Sequence, residues 1–296
     1  MNNIGFIKRC YRYYSFHFQE PVLSLLKTRQ LEKKNRISNL SLHDSKNILE
    51  DVVVSLTTHG ERINNVHITI ESILDGESVP SRIILWLDDI NIFNNLPLSI
   101  TRLLKRGVEV KMTKNYGPHT KYYPYVSGEA LKEFLVTADD DIIYPKYWLS
   151  SHYRAAKGSL KEIICHRAHE ITFDREGFFL SYNKWKPCAF TNKSIRYFAT
   201  GVSGVIYPLH FQHCLKSFGE IFLDKCPKAD DVWLHFVAYK NDYKIKQLTN
   251  RSIHFLTINN TQHLGLMNVN VWESQNDKQI KNTYSNEDMQ KIYSDD

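Results

Sequence analysis

Three adjacent carboxylates follow an apolar run in residues 134–145, which read FLVTADDDIIYP. Asp139, Asp140 and Asp141 repel one another, so a fold that places them directly after a buried strand must compensate their charge. Hard divalent cations prefer carboxylate oxygens, and two aspartates at positions i and i+2 can approach one ion or its bound water. Alternatively, one aspartate caps a helix that begins near Pro145 while the others are solvated. We favour a metal ion whose shell is completed by phosphate oxygens.

The pattern upstream of the aspartates predicts the elements that must position them. From residue 52, short apolar runs alternate with stretches of helical periodicity. Such alternation predicts an α/β fold with a doubly wound, mostly parallel sheet and flanking helices, in which ligands bind beyond the carboxyl ends of the strands. The predicted strands are VVVSL (52–56), RIILWL (82–87), VEVKM (108–112) and FLVTA (134–138), and the predicted helices between them are 63–74 and 99–107.

Polar residues follow three of these strands directly. Thr57 comes after the first strand, Asp88 and Asp89 come after the second, and the run 139–141 comes after the fourth. Because the carboxyl ends of parallel strands meet at one edge of a sheet, we expect these side chains to line one crevice.

The second half of the chain is less regular. Its clearest signal is ADDVWLHFVAYKND at 229–242, which predicts a helix that starts at Asp230 or Asp231. The other predictions are strand at 162–173, a loop at 181–188, a glycine-rich turn leading into a strand at 199–208, and a final strand at 244–248.

The net charge of +6 is concentrated at the N-terminus. Residues 1–36 hold eight Lys and Arg against Glu20 and Glu32, which gives 8 − 2 = +6, so the rest of the chain is neutral. A neutral folded part argues against nucleic acid as a partner, since nucleic-acid-binding domains carry a basic face. We expect a basic, aromatic segment with a polar linker at 1–50, an α/β catalytic domain at 51–250, and a C-terminal segment at 251–296 that packs on or near the crevice.

The N-terminal segment is aromatic as well as basic. Its apolar residues recur at intervals of three and four, which predicts one apolar helix face. Such a helix can contact an anionic membrane surface through residues 1–36, or it can dock on the protein's own core. No stretch reaches the ~20 apolar residues of a membrane span, so we expect a cytoplasmic chain, peripheral on the inner face of the cytoplasmic membrane. The recurring residues are Ile4, Ile7, Tyr11, Tyr14 and Phe18.

Five stretches occur in an order that resembles a known group of enzymes. They are VVVSLTTHGERI (52–63), TKYYP (120–124), DDD (139–141), ATGVSGVIYP (199–208) and ADDVWL (229–234). Over about residues 50–250 the chain resembles the GT-A fold glycosyltransferases, specifically the bacterial family-2-like enzymes of surface-polysaccharide (capsule or lipopolysaccharide) biosynthesis. The resemblance implies a GT-A-like, Rossmann-like fold and a metal-dependent hexosyltransferase with Mn²⁺ or Mg²⁺ as cofactor. It also implies a nucleotide-diphosphate sugar as donor, with a UDP-sugar favoured, and a hydroxyl of a glycan or lipid-linked acceptor.

The resemblance implies roles at the metal and the diphosphate. Asp139 and Asp141 match the DXD motif, in which the first carboxylate reaches the ribose or a metal-bound water and the second binds the metal. Asp140 lies between them and is expected at the donor. Lys121 would face the diphosphate, and the alternative is a surface lysine on a loop. His263, in NTQHLG, is expected as a third metal ligand or as a phosphate contact.

The resemblance also implies contacts to the nucleotide. Thr57 and Arg62 lie in the first strand-to-helix loop, which holds the nucleotide in such enzymes. Asp88 or Asp89 resembles the acidic group that contacts the nucleobase. The usual family opening has Pro-Thr-Tyr-Asn after the first strand, whereas residues 56–59 are Leu-Thr-Thr-His, so this chain departs from the pattern at the nucleotide contact.

An acidic pair is expected to carry the chemistry. Inverting transfer needs a base that takes the proton of the acceptor hydroxyl, and Asp231 matches the second acid of the pair that supplies it in the resembling enzymes, with Asp230 as the first. The alternative is an N-cap at Asp230 with Asp231 in the favourable first turn, and one helix start can do both. Gly201 and Gly204 would let the backbone approach the donor sugar or acceptor closely.

Two other classes of protein compete with this interpretation. A haloacid-dehalogenase-like, Mg²⁺-dependent phosphatase also places Asp-x-Asp after a strand, but it usually has Thr or Ser two residues after the second Asp, where this chain has Ile143. It also places its nucleophile on the first strand. A non-catalytic sugar-binding protein would need only the aromatic residues and the basic segment, and it leaves the carboxylates unexplained.

Overall fold

A computed structural model of the protein describes residues 19–259 and 275–295. The strands in this part are β1 (Ile48–Thr57), β2 (Val79–Leu87), β3 (Glu109–Met112), β4 (Phe134–Ala138), β5 (Ile142–Ile143), β6 (Glu162–Cys165), β7 (Ala168–Glu170), β8 (Lys186–Pro187), β9 (Lys193–Ser194), β10 (Tyr197–Ala199), β11 (Val205–Tyr207), β12 (Lys244–Gln247) and β13 (Leu256–Thr257). The helices are α1 (Glu20–Ile37), α2 (Val66–Leu74), α3 (Ile90–Asn94), α4 (Leu98–Lys105), α5 (Tyr123–Gly128), α6 (Trp148–Ala156), α7 (Leu209–Phe218), α8 (Phe222–Lys225), α9 (Asp230–Lys240), α10 (Gln275–Thr283) and α11 (Asn286–Ser294).

An eight-stranded mixed sheet organises the described residues. Its strand order is β3-β2-β1-β4-β11-β6-β12-β9. Neighbours pair in parallel except around β11, which is antiparallel to both β4 and β6, and at β9, which is antiparallel to β12. Strands β10, β7 and β8 form a small separate sheet, and β13 pairs with β5. The predicted α/β fold with a mostly parallel sheet is confirmed.

The strand ends bring the predicted polar residues to one edge of the sheet. Leu56 of β1 lies opposite Ala138 of β4, and Thr57 lies opposite Trp86 of β2. The residues that follow β1, β2 and β4 therefore emerge at the same level. The central strand β1 is a continuous apolar run because both of its faces are covered, as in other parallel sheets.

Helices cover the sheet on both faces and form two apolar cores. On β1, Val52 and Val54 pack into one core while Val53 packs into the other, as the alternation of side chains along a strand requires. The first core contains apolar residues of α2, α4 and α6, and the second contains apolar residues of α5, α7 and α9. Alternation with helices on both faces is the doubly wound arrangement.

The stretch 162–173, which was predicted as strand, forms two separate strands. It divides into β6 of the large sheet and β7 of the small sheet, with His166 and Arg167 between them. Within the predicted segment 1–50, Leu42 is buried and β1 already begins at Ile48. An apolar pattern indicates that a residue is buried, but not the element against which it packs.

Helix α1 lies on the surface of the fold. Ser24, Leu31 and Asn35 face the protein, and the Ser24 hydroxyl donates a hydrogen bond to the Thr257 carbonyl at 2.6 Å. The apolar helix face predicted for residues 4–18 lies outside the described residues. Among the described helices, none combines the length and apolar character that crossing a membrane requires.

Candidate active site

Arg62 binds two of the three aspartates. The short turn Gly60–Asn64 after β1 carries it, and its Nη2 atom lies 2.7 Å from Asp140 Oδ1 and 2.6 Å from Asp141 Oδ2. Thr58 donates its hydroxyl proton to Asp140 Oδ2 at 2.6 Å. Only 6% of the Asp140 side chain is exposed, so this carboxylate is held inside the protein. We call Arg62, Thr58, Asp140 and Asp141 the Arg62 cluster.

Burial dominates the protonation of the two aspartates in this cluster. It raises the pKa of Asp140 above its usual value, although Arg62 and Thr58 act in the opposite direction. It also raises the pKa of Asp141 to about 6, with repulsion from Asp139 as the next cause. One guanidinium therefore does not offset the cost of burying two carboxylates.

Lys121 binds the first aspartate of the run. Its Nζ lies 2.8 Å from Asp139 Oδ1 and 3.3 Å from Asp230 Oδ2. Burial lowers the pKa of Lys121, but Asp139, Asp230 and Asp231 together outweigh burial and hold this pKa well above its usual value. Lys121 is a permanent cation between the aspartate run and helix α9, and the alternative of a surface lysine on a loop is wrong.

The acidic pair lies in the first turn of α9. Ala229 is the residue before the helix and provides no side-chain cap, so the alternative of an N-cap at Asp230 is wrong. Asp231 Oδ1 accepts a hydrogen bond from the backbone N–H of Gly201 at 3.0 Å. We call Lys121, Asp139, Asp230, Asp231 and Gly201 the Lys121 cluster.

The two clusters together carry an excess of negative charge. Five carboxylates, those of residues 139–141, 230 and 231, surround Arg62 and Lys121, which leaves 5 − 2 = 3 formal negative charges when all are ionised. Burial raises the pKa of Asp231 to about 8, with Asp230 as the next cause, while Lys121 opposes both. A proton retained on Asp231 at neutral pH thus limits the repulsion in the protein alone.

Residues outside the predicted set hold Lys121 in place. The Ser55 hydroxyl donates to the Lys121 carbonyl at 2.8 Å, and Trp86 Nε1 donates to Ser55 Oγ at 2.9 Å. Two residues before Lys121, the buried His119 ring stacks on Phe222 at 4.2 Å. Sequence reasoning missed these residues. Ser55 carried a usable signal, because a polar side chain inside a buried strand needs a hydrogen-bond partner.

The residues predicted to contact the nucleotide differ in whether their side chains already bond to the protein. Thr57 donates its hydroxyl to the Trp86 carbonyl at 3.1 Å, and Asp89 caps helix α3 by accepting from the Asn91 N–H at 2.7 Å. Asp88 is half-buried and forms no side-chain hydrogen bond or ion pair with any residue that the structure describes. Of these three predicted contacts, Asp88 has the carboxylate that is free to meet a ligand.

The two glycines allow two different close approaches. A Cβ atom on Gly201 would lie 3.3 Å from both Asp231 Oδ1 and Lys121 Nζ, so glycine lets the backbone reach the ionic cluster. Gly204 has φ of +81°, and a Cβ atom there would lie 2.6 Å from Trp148. The space beside Gly204 is therefore filled by a tryptophan of the protein itself.

The C-terminal segment returns to the aspartates. Strand β13 pairs with β5, and the Ile258 N–H donates to the Asp141 carbonyl at 2.8 Å. This pairing fixes the backbone of Asp141 at the end of the run. His263, the expected third metal ligand, lies outside the described residues.

The outer two aspartates have the properties that a hard cation requires. The exposed fractions of the Asp139 and Asp141 side chains are 23% and 18%, whereas Asp140 is tied inward by Thr58. Over residues 19–259 and 275–295, no three His, Cys, Asp or Glu side chains converge on one point. The donor set therefore fits a divalent ion that takes two carboxylates from the protein and its other ligands from elsewhere.

A surface groove of about 570 Å³ lies beside the edge strand β3. Its walls include Trp86, Met112, Pro124 and Glu129, and none of the three aspartates lines it. The charge and hydrogen-bond geometry, rather than this groove, define the candidate site.

Comparisons with known proteins show the fold. No protein-family model matches the chain, and no curated protein matches it significantly in sequence. Among solved structures, it is similar to the mannosyltransferase PcManGT from Pyrobaculum calidifontis in complex with GDP-Man and Mn²⁺, with a TM-score of 0.51 and 12% identity over 94% of this chain and 77% of that chain.

Two further solved structures are more distant. GalNAc-T7 with UDP, GalNAc and Mn²⁺ gives a TM-score of 0.49 at 12% identity, over 81% of this chain and 54% of that chain. The 4-diphosphocytidyl-2C-methyl-D-erythritol synthase from Anaerococcus prevotii gives 0.44 at 14% identity, over 70% of this chain and 89% of that chain. The sheet order and the mannosyltransferase comparison together show a GT-A-like α/β fold.

Proposed function

We propose that the protein is a metal-dependent glycosyltransferase that moves a sugar from a nucleotide-diphosphate sugar to a hydroxyl of a glycan or lipid-linked acceptor. The observation that supports it best is the group of five carboxylates around only two cations at the carboxyl edge of a GT-A-like sheet, with a base candidate among them. The mannosyltransferase of the same fold was solved with GDP-Man and Mn²⁺. A UDP-sugar is the donor that we favour.

Asp139 and Asp141 would hold Mn²⁺ or Mg²⁺. A divalent ion bound there would supply positive charge to the donor diphosphate and to the carboxylates around it. Arg62 and Lys121 already lie at these carboxylates, and they would provide the protein's own cations for the phosphate oxygens. Asp88, with its free carboxylate, is the residue that we assign to the nucleobase or ribose.

Asp231 would act as the general base. Its carboxylate would take the proton of the acceptor hydroxyl as the acceptor oxygen bonds to the anomeric carbon and the bond from that carbon to the diphosphate oxygen breaks. The Gly201 N–H holds one carboxylate oxygen, which leaves the other oxygen for the acceptor. Attack from the side opposite the leaving diphosphate would invert the anomeric configuration.

The first experiment is a thermal-shift panel. Full-length protein is mixed with UDP-, GDP-, CMP- and dTDP-sugars, each with and without Mn²⁺. A ligand that binds only the folded state raises the melting temperature by mass action. We expect a shift with one nucleotide that requires the metal. Absence of a shift with every donor and metal would reject the proposed function.

The stereochemical part needs its own test. NMR of the anomeric proton of the product identifies its configuration directly. We expect a configuration opposite to that of the donor. Retention would exclude direct displacement with Asp231 as the base, while leaving the transferase activity itself intact.

We also propose that α1 lies against an anionic membrane, where a lipid-linked acceptor for surface-polysaccharide assembly would be found. Four apolar side chains of α1 are 43% to 56% exposed, because the helix turns Ser24 toward the protein instead. Exposed Lys27, Arg29 and Lys33 lie on the same helix and complement anionic headgroups. The apolar residues are Val22, Leu23, Leu25 and Leu26.

Vesicle sedimentation tests the membrane contact. Full-length protein should sediment with vesicles that contain phosphatidylglycerol and remain in solution with phosphatidylcholine vesicles. Replacing Leu25 and Leu26 by serine should abolish sedimentation, whereas replacing Leu160, an exposed leucine elsewhere, should not. Unchanged sedimentation of the α1 variant would reject α1 as the contact.

A further inference from the structure

One arginine near the candidate base has no carboxylate partner among the residues that the structure describes. Arg167 follows β6 and is partly buried. Its Nη1 donates to Thr200 Oγ1 at 2.6 Å, and its Nε donates to His254 Nε2 at 3.2 Å. A guanidinium has five N–H donors, so these two bonds leave three that no described residue accepts.

Other arginines at comparable depth are paired. Arg62, Arg82 and Arg106 each form an ion pair with an aspartate or a glutamate. Burial lowers the pKa of Arg167, and the charges of Tyr182 and Asp231 only partly offset that effect. Burying a guanidinium partly, without a counter-ion, costs free energy of folding, and a bound anion would reduce that cost.

The side chains around Arg167 suit a sugar that carries an anion. The rings of His169 and Tyr182 stack at 5.4 Å beside it. Burial lowers the pKa of His169 to about 4, and it lowers the pKa of His254 as well, so both imidazoles are neutral at pH 7. Among the described residues, the group around Arg167 therefore has one cation, no carboxylate in direct contact with it, and aromatic faces of the kind that pack against sugar rings.

Arg167 is also linked to the candidate base. It holds Thr200 through the side-chain bond and through the Thr200 N–H, which donates to the Arg167 carbonyl at 3.1 Å. The next residue, Gly201, donates its N–H to Asp231. An anion on Arg167 would thus lie close to the carboxylate that receives the acceptor proton.

We propose that Arg167 binds an oxyanion carried by the acceptor sugar, so that the acceptor class is a sugar bearing a phosphate or a carboxylate. The identification of the bound sugar as the acceptor rests on the proposed glycosyl transfer. Binding of an anionic sugar at Arg167 does not depend on turnover. The guanidinium binds the oxyanion, His169 and Tyr182 pack against the sugar, and Asp231 meets the hydroxyl to be glycosylated.

Ligand-observed NMR on the full chain tests the site with three probes: glucose 6-phosphate, glucuronic acid and glucose. The variants are Arg167→Gln, Arg167→Lys and, as a matched control, Arg251→Gln at an exposed arginine. We expect the wild type and R251Q to bind at least one anionic sugar at least tenfold more tightly than glucose. R167Q should lose this preference, and R167K should retain part of it because the charge remains. The phosphate and carboxylate probes distinguish the two sources of the anion.

Several outcomes would overturn the proposal. Equal binding of the anionic sugars and glucose by the wild type would do so. Undiminished anion preference in R167Q would place the anion at the diphosphate site instead. Should R167Q fail to fold, R167K provides the test. Complete loss of the anion preference in a folded R167K would mean that Arg167 only holds Thr200 in place and does not bind the anion. The nucleotide-sugar panel with Mn²⁺ reports the proposed transferase function separately, so either idea can fail alone.

Discussion

The Arg62 and Lys121 clusters lie side by side but differ in how their carboxylates are compensated by positive charge. In the Arg62 cluster, one guanidinium nitrogen serves two carboxylates, and Asp140 gains a second bond from Thr58. In the Lys121 cluster, one ammonium contacts two carboxylates, while the third, Asp231, is held by a backbone N–H. The Arg62 cluster has the contacts of a scaffold, whereas the Lys121 cluster leaves a carboxylate without a direct cation.

This difference separates residues that support the site from the residue that we expect to react. A carboxylate tied to arginine and a hydroxyl has little freedom to exchange a proton. Asp231, with its pKa raised to about 8, changes protonation near neutral pH. Catalytic bases commonly have pKa values in that range.

The largest expected effect is on turnover in Asp231→Asn. An amide cannot accept the acceptor proton, so kcat should fall by about 10²- to 10⁴-fold while donor binding is retained. Initial-rate kinetics with the donor found in the thermal-shift panel measures both quantities. Asp224→Asn, at an exposed position, is the matched control. Wild-type turnover in D231N would remove Asp231 from the mechanism.

The next largest effect concerns the stability that the Arg62 cluster contributes. Arg62→Gln leaves Asp140 and Asp141 buried without their cation, so the free energy of unfolding should fall by about 3–5 kcal/mol. Chemical denaturation measures it, with Arg175→Gln, at an exposed arginine, as the control. Adding Asp141→Asn to R62Q should recover part of the loss. A loss below about 1 kcal/mol would show that Arg62 does not compensate these carboxylates.

Metal binding should depend on the outer aspartates. Asp141→Asn removes one of the two carboxylates proposed for Mn²⁺, so the metal-dependent part of the donor thermal shift should vanish. At a concentration 100 times the dissociation constant, that part corresponds to about 2.7 kcal/mol. Thermal shift at constant donor concentration measures it, with D224N as the control. An unchanged metal-dependent shift would contradict the metal assignment.

The difference in stability between D231N and the wild type should change with pH in a defined direction. Folded wild type retains a proton on Asp231 up to a pKa of about 8, whereas the unfolded chain releases it near the usual value of 3.8. The folded state therefore binds more protons between these values, and the Asp231 contribution to stability is lost as pH rises through this window. Asn avoids that loss, so D231N should be more stable than the wild type at pH 7 by up to about 4 kcal/mol, and no more stable at pH 4.

Denaturation of both proteins across pH 4–8 provides this measurement. A stability difference that stays constant with pH would mean that the pKa of Asp231 is not raised. If D231N is both more stable than the wild type and inactive, Asp231 serves function at a cost in stability.

The smallest effect separates two neighbouring threonines. Thr58→Val removes a hydrogen bond to the buried Asp140 and should lower the free energy of unfolding by about 1.5–3 kcal/mol. Thr57→Val removes a bond from the half-buried Thr57 hydroxyl to the Trp86 carbonyl and should cost about 1 kcal/mol or less. Parallel denaturation curves compare the two. Equal losses would show that Thr58 plays no special part in holding Asp140.

Several elements were predictable from the sequence because local pattern specifies them. The apolar runs predicted β1, β2, β3 and β4, and ADDVWL predicted the start of α9 within a residue. The stretch 162–173 was not predictable as two strands, since the change of sheet at His166 and Arg167 depends on long-range pairing with β11 and β10. Periodicity reports burial, and burial alone does not select a partner.

The sequence by itself determined that Asp139, Asp140 and Asp141 would emerge at the carboxyl edge of a parallel sheet, because apolar strands that alternate with helices imply parallel pairing. Only the tertiary structure decided how their charge is shared. Arg62 and Lys121 come from different loops, and their distances to the aspartates depend on how every strand between them packs. The same holds for Arg167, because only the folded structure shows that no described carboxylate pairs with it.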